Sequence, residues 1–323
     1  MRAVRVRAFG GPEVLRLEEV PDPVPGSGEV LVQVHAAGIN PVDTYIRAGA
    51  YGELPDLPYV PGSDAAGVVE AVGAGVESHR PGDRVYVAGW GGRRTGGHAE
   101  RLTCFADQAW PLPAKCSFSE GAAIGIPCAT AYRALVQLGE AVAGDTLLVH
   151  GAAGSVGSAA VQLAVSRGLR VFGTASSAEG REFVRSQGAQ GVFDHSAPDH
   201  LDIAMEAAGI DGFDLILEMA AHRNLNDDLQ AVAPGGRIVV IGSRGRIEID
   251  PRHAMMRDAT VRGLALANAS GDEMAEIHRA LGAALAEGSL HPAVSAELPL
   301  ERAAEAHALV VETGRNGKVV LIP

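Results

Sequence analysis

Three glycines spaced three apart stand in the run Val149-His150-Gly151-Ala152-Ala153-Gly154-Ser155-Val156-Gly157. Residues 146–150 form a short apolar, strand-like run, and residues 156–167 repeat apolar positions at helical spacing. A glycine turn between a strand and a helix can hold a dinucleotide's diphosphate. The first N–H groups of the helix and the positive end of its dipole both face that position. In this reading Gly151 permits the tight turn and Gly157 lets helix and strand pack closely. Gly154 lets the backbone approach a pyrophosphate with no Cβ in the way. The spacing is Gly-x-x-Gly-x-x-Gly rather than Gly-x-Gly-x-x-Gly. On the motif alone, a turn that merely connects two elements stays open.

The end of the next strand decides which dinucleotide fits. A site for NAD places Asp or Glu about twenty residues on, to bind the ribose 2′-OH. Here the strand runs Phe172-Gly173-Thr174-Ala175-Ser176-Ser177, with no carboxylate. Nothing there would repel a 2′-phosphate, so the sequence favours NADPH. Ser176 and Ser177 are candidate donors to that phosphate, and His195, after the third strand, could also face it. Arg181 is a further candidate or a solvated surface residue. Gly242-Ser243-Arg244-Gly245 follows the most apolar strand, at the carboxyl end where ligands of such sheets lie. It is either a coenzyme-contacting turn with Arg244 reaching a polar group, or an ordinary surface turn.

Metal chemistry finds little support. Cys104, Cys116 and Cys128 are an odd number with no Cys-x-x-Cys pair, which argues against both a structural zinc and a disulfide framework. His35 and His98 lie in or beside strands and read as structural. No metal is expected.

These residues need a scaffold. Residues 29–34, 68–72 and 84–87 alternate with period two and are separated by Pro and Gly breakers, so the first third reads as a β-rich domain. From about residue 120, short apolar strands at 146–150, 169–173, 191–193, 213–217 and 237–241 are divided by helical segments. That alternation predicts a parallel sheet covered on both faces. The tail predicts a helix at 272–287, a strand near Val294, a helix at 300–312 and a strand at 318–322. A β-rich start, an α/β middle and a mixed end suggest one domain inserted into another.

Composition sets the outer limits. The 323 residues suit two domains, and the net charge of -12 with no basic tract opposes binding to a nucleic-acid backbone. No run of eighteen apolar residues suggests a membrane span, and the N-terminus reads as a strand rather than a signal peptide. A cytoplasmic location is the expectation.

Several long motifs, in order and nearly end to end, carry a resemblance. They include Phe9-Gly10-Gly11-Pro12-Glu13-Val14-Leu15, Ala37-Gly38-Ile39-Asn40-Pro41-Val42-Asp43-Thr44-Tyr45-Ile46-Arg47 and Pro61-Gly62-Ser63-Asp64-Ala65-Ala66-Gly67-Val68. Gly82-Asp83-Arg84-Val85, Gly121-Ala122-Ala123-Ile124-Gly125-Ile126-Pro127 and Thr130-Ala131-Tyr132-Arg133-Ala134-Leu135 continue it, together with the glycine turn. The chain resembles the zinc-independent quinone oxidoreductases of the medium-chain dehydrogenase/reductase superfamily, most closely the zeta-crystallin type. The resemblance implies an α/β protein: a GroES-like β-rich catalytic domain at 1–121 and 263–323, and a doubly wound Rossmann domain at 122–262. It implies a nicotinamide in the interdomain cleft, NADPH as cofactor, one-electron or two-electron reduction of quinones, and a homodimer or homotetramer that associates through the tail strand at 318–322 or the apolar Rossmann edge near Val261 to Leu266.

By matching motif positions, Asn40 and Tyr45 look like cofactor or substrate contacts, and Thr130 like a contact near the nicotinamide. Ala153, Gly154, Ser155 and Val156 look like the pyrophosphate turn, and Ser176 and His195 like adenosine-side contacts. Asn224, Ile241, Gly242, Ser243, Arg244, Leu264, Ala265 and Leu266 look like the rest of the cofactor wall. Close relatives often have Gly where Ser176 stands. Zinc relatives carry Cys near Asn40 and Gly-His-Glu near Gly62-Ser63-Asp64, and Asp43 and Asp64 are poor replacements for those ligands.

A quinone accepts hydride readily because its product is an aromatic hydroquinone oxyanion, so it needs less Lewis-acid help than an aldehyde does. Asn40 and Tyr45 are expected to hydrogen-bond substrate oxygen or the nicotinamide edge, and Tyr51 to line the mouth. An NADPH-dependent enone or alkenal reductase, a nucleotide-binding protein with little turnover and a zinc alcohol dehydrogenase are the alternatives.

Overall fold

The computed structural model describes residues 1–88, 96–312 and 314–323. The chain divides into two compact units. One comprises Met1–Ile126, Pro292–Thr313 and Lys318–Pro323; the other comprises Pro127–His291 and Gly314–Gly317.

The first unit opens with β1 (Arg2–Val6) and β2 (Leu15–Glu19), an antiparallel pair. β3 (Glu29–Ile39), helix α1 (Pro41–Arg47), β4 (Asp64–Val72), β5 (Arg84–Val87), β6 (Arg101–Phe105) and β7 (Ala109–Pro111) follow, then the one-turn helix α2 (Phe118–Gly121). Helix α3 (Gly125–Tyr132) carries the chain into the second unit.

In the second unit β8 (Thr146–Val149), α4 (Ser155–Ser166), β9 (Arg170–Thr174), α5 (Ala178–Ser186), β10 (Gly191–Phe193) and α6 (His200–Ala208) alternate. β11 (Phe213–Glu218), α7 (Ala221–Ala231), β12 (Val232–Val240), α8 (Pro251–Arg257), β13 (Thr260–Gly263) and α9 (Gly271–Glu287) continue the pattern. The chain then returns to the first unit as β14 (Val294–Pro299), α10 (Ala303–Leu309) and β15 (Lys318–Ile322).

The first unit's main sheet has the order β14-β15-β3-β4-β5-β7, with β6 also paired to β3. β3 is central because alternate residues Val30, Val32 and Val34 point into the core that Val4, Val85, Leu102 and Leu321 complete. The tail strand pairs antiparallel with β3, placing Val319 opposite Ile39. That register brings Lys318 to the Asn40 end of β3.

The second unit's sheet has the order β10-β9-β8-β11-β12-β13, and every pairing is parallel. Leu147, Leu148, Val149, Leu215, Ile216 and Leu217 are wholly buried. That is why these strands read as continuous apolar runs. The order places β8 and β11 side by side where the winding reverses, the point at which such sheets open a crevice at their carboxyl ends.

This unit reaches His291, past the expected end at residue 262. β13 adds a sixth strand to its sheet. α9 is also fixed within it, through Tyr132 Oη to Glu276 at 3.1 Å and Arg133 to Glu273 at 3.1 Å. The segment Gly314–Gly317 also belongs here, because the Gly317 N–H donates to Ala153 O at 2.9 Å. Among the described residues, no helix is long and apolar enough to cross a membrane.

Candidate functional site

The glycine turn joins β8 to α4. Gly151 has φ +57°, a left-handed conformation that disfavours side chains. A Cβ at Gly157 would meet Gly151 O at 2.5 Å and Ala152 Cα at 2.6 Å, so only glycine fits there. Gly154 differs. It caps α4 in an extended conformation, and a Cβ would approach only Gly151 O, at 3.4 Å. Among the described residues nothing else lies within 4 Å of that Cβ position, while the Gly154 backbone bridges to Gly317. Ser155, Val156 and Gly157 begin α4, so their N–H groups have no intrahelical acceptor. Ala153 is buried, while Gly154, Ser155 and Val156 are half-buried. The turn thus presents the geometry that an anion at a helix N-terminus requires.

Of the other expected wall residues, those that follow strands stand at the same carboxyl edge of the sheet. Half-buried Ser176 follows β9 and exposed His195 follows β10. Ile241, Gly242, Ser243 and Arg244 follow β12. The Arg244 N–H donates to His222 Nδ1 at 3.1 Å, and the Ser243 hydroxyl donates to Gly245 O at 3.1 Å. Leu264, Ala265 and Leu266 follow β13, anchored by the Leu264 N–H to Val240 O at 2.8 Å. Asn224 lies on α7, its Nδ2 donating to Glu218 Oε2 at 3.0 Å. Thr130 is buried on α3.

Ser177 is otherwise employed. Its hydroxyl caps α5 by accepting from Gly180 N at 3.0 Å. Arg181 is better placed than a solvated surface residue would be. Its Nη1 donates to Ser176 O at 3.0 Å, to Ala175 O at 3.3 Å and to Asp194 Oδ2 at 2.9 Å. A guanidinium thus lies at the end of β9, where a 2′-phosphate would be read. Sequence reading missed Asn316, whose Oδ1 stands beside Gly180. The only sequence signal was a Gly-rich break, Gly314-Arg315-Asn316-Gly317, before the last strand.

In the first unit Asn40 precedes α1 and is 3% exposed. Its backbone N–H donates to Asp43 Oδ2 at 2.8 Å. Its side-chain Nδ2 donates to Asp64 Oδ2 at 2.9 Å, and its Oδ1 accepts from the Lys318 ammonium. Lys318 also donates to Asp64 Oδ2 at 2.8 Å, and the Ile126 N–H donates to Asp64 Oδ1 at 2.9 Å. Room for the lysine stem comes from Gly38, where a Cβ would stand 2.7 Å from Lys318 Cε. Asp43 accepts from the Ser63 hydroxyl at 2.8 Å. Burial pushes the Asp43 carboxyl up, opposed by the Asn40 N–H and the Ser63 hydroxyl. The Asn40 amide is therefore held at both ends, and among the described residues one N–H of Nδ2 has no further acceptor. Tyr45, on α1, and Tyr51, after it, are half-buried. Lys318 was not anticipated at this site, because the sequence shows only a charge opening an apolar strand.

The chain matches the family described as Alcohol dehydrogenase GroES-like domain over residues 26–114, and the family described as Zinc-binding dehydrogenase over residues 155–282. It is 44% identical over 324 residues to the quinone oxidoreductase of Rattus norvegicus, covering 100% of this chain and 98% of the relative. Among solved structures, it superposes on Escherichia coli quinone oxidoreductase complexed with NADPH with a TM-score of 0.90, at 29% identity and 100% coverage of both chains. A structure described as an NAD-dependent alcohol dehydrogenase gives a TM-score of 0.93 at 34% identity, also with 100% coverage of both.

Proposed function

The chain belongs to the quinone oxidoreductases of the medium-chain dehydrogenase/reductase superfamily, and on that premise we propose that it transfers hydride from NADPH to a quinone. The observation that carries this reading is the turn at Gly151, Gly154 and Gly157. It stands at the reversal point of a parallel sheet, with room at Gly154 for a Cβ that glycine leaves unused among the described residues, and three helix N–H groups behind it. Bound NADPH supplies the hydride.

The remaining roles belong to this chain's side chains. Ser155 and Val156 bind the diphosphate through their N–H groups. Arg181 meets the 2′-phosphate, held in place by the Ser176 carbonyl and Asp194. No carboxylate in Thr174-Ala175-Ser176-Ser177 opposes it. Asn224, Ile241, Gly242 and Leu264 to Leu266 line the coenzyme's course along the strand ends. The second Nδ2 hydrogen of Asn40 and the Tyr45 hydroxyl hold the acceptor's oxygen or the nicotinamide edge, with Tyr51 beside them.

Zinc does not fit the residues around Asn40. Asn40, Ser63 and Asp64 offer no thiolate or imidazole, and the Lys318 ammonium already bonds to both Asn40 and Asp64. A second cation there would be repelled, so the reaction is read as metal-independent and its acceptor as one that needs no Lewis acid. A cytoplasmic enzyme is part of this reading, in keeping with three buried, unbridged thiols. So is a homo-oligomer, in which the exposed edge strand β13 pairs with a second copy.

The test is a panel of acceptors with NADPH as donor. A naphthoquinone is expected to drive rapid NADPH oxidation that chelator treatment does not change. Turnover of alkenals with none of quinones would replace this reading with alkenal reduction.

A further inference from the structure

The coenzyme reading makes no use of one buried cluster beneath the glycine turn. His150 follows β8, Glu218 ends β11, and Asp228 lies on α7; their side chains are 2%, 0% and 0% exposed. His150 Nε2 stands 2.8 Å from Asp228 Oδ1 and 3.6 Å from Glu218 Oε2. Glu218 accepts from the Ala220 N–H and from Asn224 Nδ2. Asp228 Oδ2, wholly buried, has no donor among the described residues. On its other side His150 Nδ1 faces Thr174 Oγ1 at 3.4 Å, and that hydroxyl accepts from the Gly151 N–H at 3.2 Å. The cluster thus touches the ends of three strands, the first glycine of the turn, and Asn224.

Its charge does not balance as drawn. Among the described residues no Lys or Arg forms an ion pair with Glu218 or Asp228. The nearby titratable groups are His200 on α6, whose ring lies edge-on 6.2 Å from His150, then His195 after β10 and Asp227 on α7, with Arg223 on α7 and Asp194 acting on His195. Two ionised carboxylates in a dry core, with no cation beside them, would carry a desolvation cost that nothing offsets. The unpartnered oxygen of Asp228 needs a hydrogen, and the neighbouring carboxylate has none unless it is protonated.

We propose that Glu218 and Asp228 share one proton beside His150, and that these three are positioning residues for the coenzyme, setting Asn224 and the Gly151 end of the turn. Burial acts in the same direction, pushing both carboxyls up to about 7 and His150 down. A proton fits the spacing better than a metal. Two ligands of one tetrahedral zinc, each at about 2.0–2.1 Å, stand roughly 3.3 Å apart, whereas His150 and Asp228 are 2.8 Å apart. When the proton leaves, the two carboxylates repel each other, and Asn224 and the turn move with them.

The consequence for coenzyme rests on the NADPH reading; the shared proton does not. NADPH affinity is measured by fluorescence titration from about pH 6.5 to about pH 8.5 in the wild type, D228N and D228A. The asparagine keeps an oxygen for His150 and gives Glu218 a permanent N–H. Wild type is expected to weaken about tenfold as pH rises, D228N to hold the low-pH affinity throughout, and D228A to bind about tenfold more weakly at every pH. Comparison with D228N cancels the coenzyme's own ionisation. Parallel pH profiles for wild type and D228N would overturn the positioning role. Infrared difference spectra of the coenzyme-free protein test the proton separately. A protonated carboxyl band should fade as pH rises in wild type and be missing in D228N. No such band, or stoichiometric metal in dialysed protein, would overturn the shared proton.

Discussion

Lys318 is a buried ammonium whose partners among the described residues are one carboxylate, Asp64, and the Asn40 amide. Replacing it with Met leaves Asp64 charged and unpaired in the core, so urea unfolding of Lys318→Met should show a loss of about 3–5 kcal/mol. Adding Asp64→Asn should restore part of that loss; equal stability of single and double variants would deny the pairing. Arg181 acts at the other end of the proposed ligand. Arg181→Ala should raise the NADPH Kd about tenfold or more, the loss of one charge-assisted bond, and leave the NADH Kd unchanged. An equal effect on both coenzymes would move Arg181 away from the 2′-phosphate. Neither arrangement was fully legible in the sequence. Arg181 was visible as a nearby cation, but its orientation depends on Asp194, thirteen residues on. Lys318 meets Asn40 only through the pairing of β15 with β3, a contact across 278 residues.

At the scale of elements, the glycine turn works because Gly157 lets α4 begin directly against the end of β8. Gly157→Ala forces a Cβ to within 2.6 Å of backbone. It should cost about 1–3 kcal/mol in thermal unfolding and weaken NADPH binding markedly. Gly154→Ala meets little of the protein itself, so it should fold normally and lose affinity only, a difference that calorimetry beside thermal denaturation would expose. The strands around the turn were legible because burial on both faces makes each an apolar run: 146–150, 213–217 and 237–241 all correspond to strands. β13 was anticipated only as an edge near Val261 to Leu266 and not delimited as a strand. Thr260-Val261-Arg262-Gly263 is an edge with little burial, so its sequence carries no apolar run. The same omission placed the end of the second unit about thirty residues too early, since β13 and α9 both continue that unit.

At the scale of the whole chain, the His98–His307 pair and the Glu218–Asp228 pair should respond to pH in opposite directions, with Asp43 in the first unit and His150 in the second each opposing its own unit's slope in part. In the first, burial holds His98 down at about 4, against an ordinary 6.5, and holds its neighbour His307 well down too. These imidazoles take up protons more readily when unfolded, so this unit should lose stability as pH falls from about 6.5 to about 4. In the second, the Glu218–Asp228 pair keeps its shared proton up to about 7, where the free carboxyls would lose it at about 4.5 and 3.8. Their stabilisation is complete below about 4 and is lost as pH rises to about 7. Hydrogen exchange read peptide by peptide should show the two opposite slopes, and one common slope would contradict the assignment. Association belongs to this scale as well. Val261→Lys on the exposed edge of β13 should shift the sedimenting species towards monomer while NADPH binding persists. The most direct test of the central claim is anaerobic single-turnover mixing of the NADPH-loaded protein with a naphthoquinone, following nicotinamide absorbance. The account predicts rapid loss of that absorbance with stoichiometric hydroquinone formation, unchanged in metal-free buffer; a decay no faster than NADPH and quinone show without the protein would contradict it.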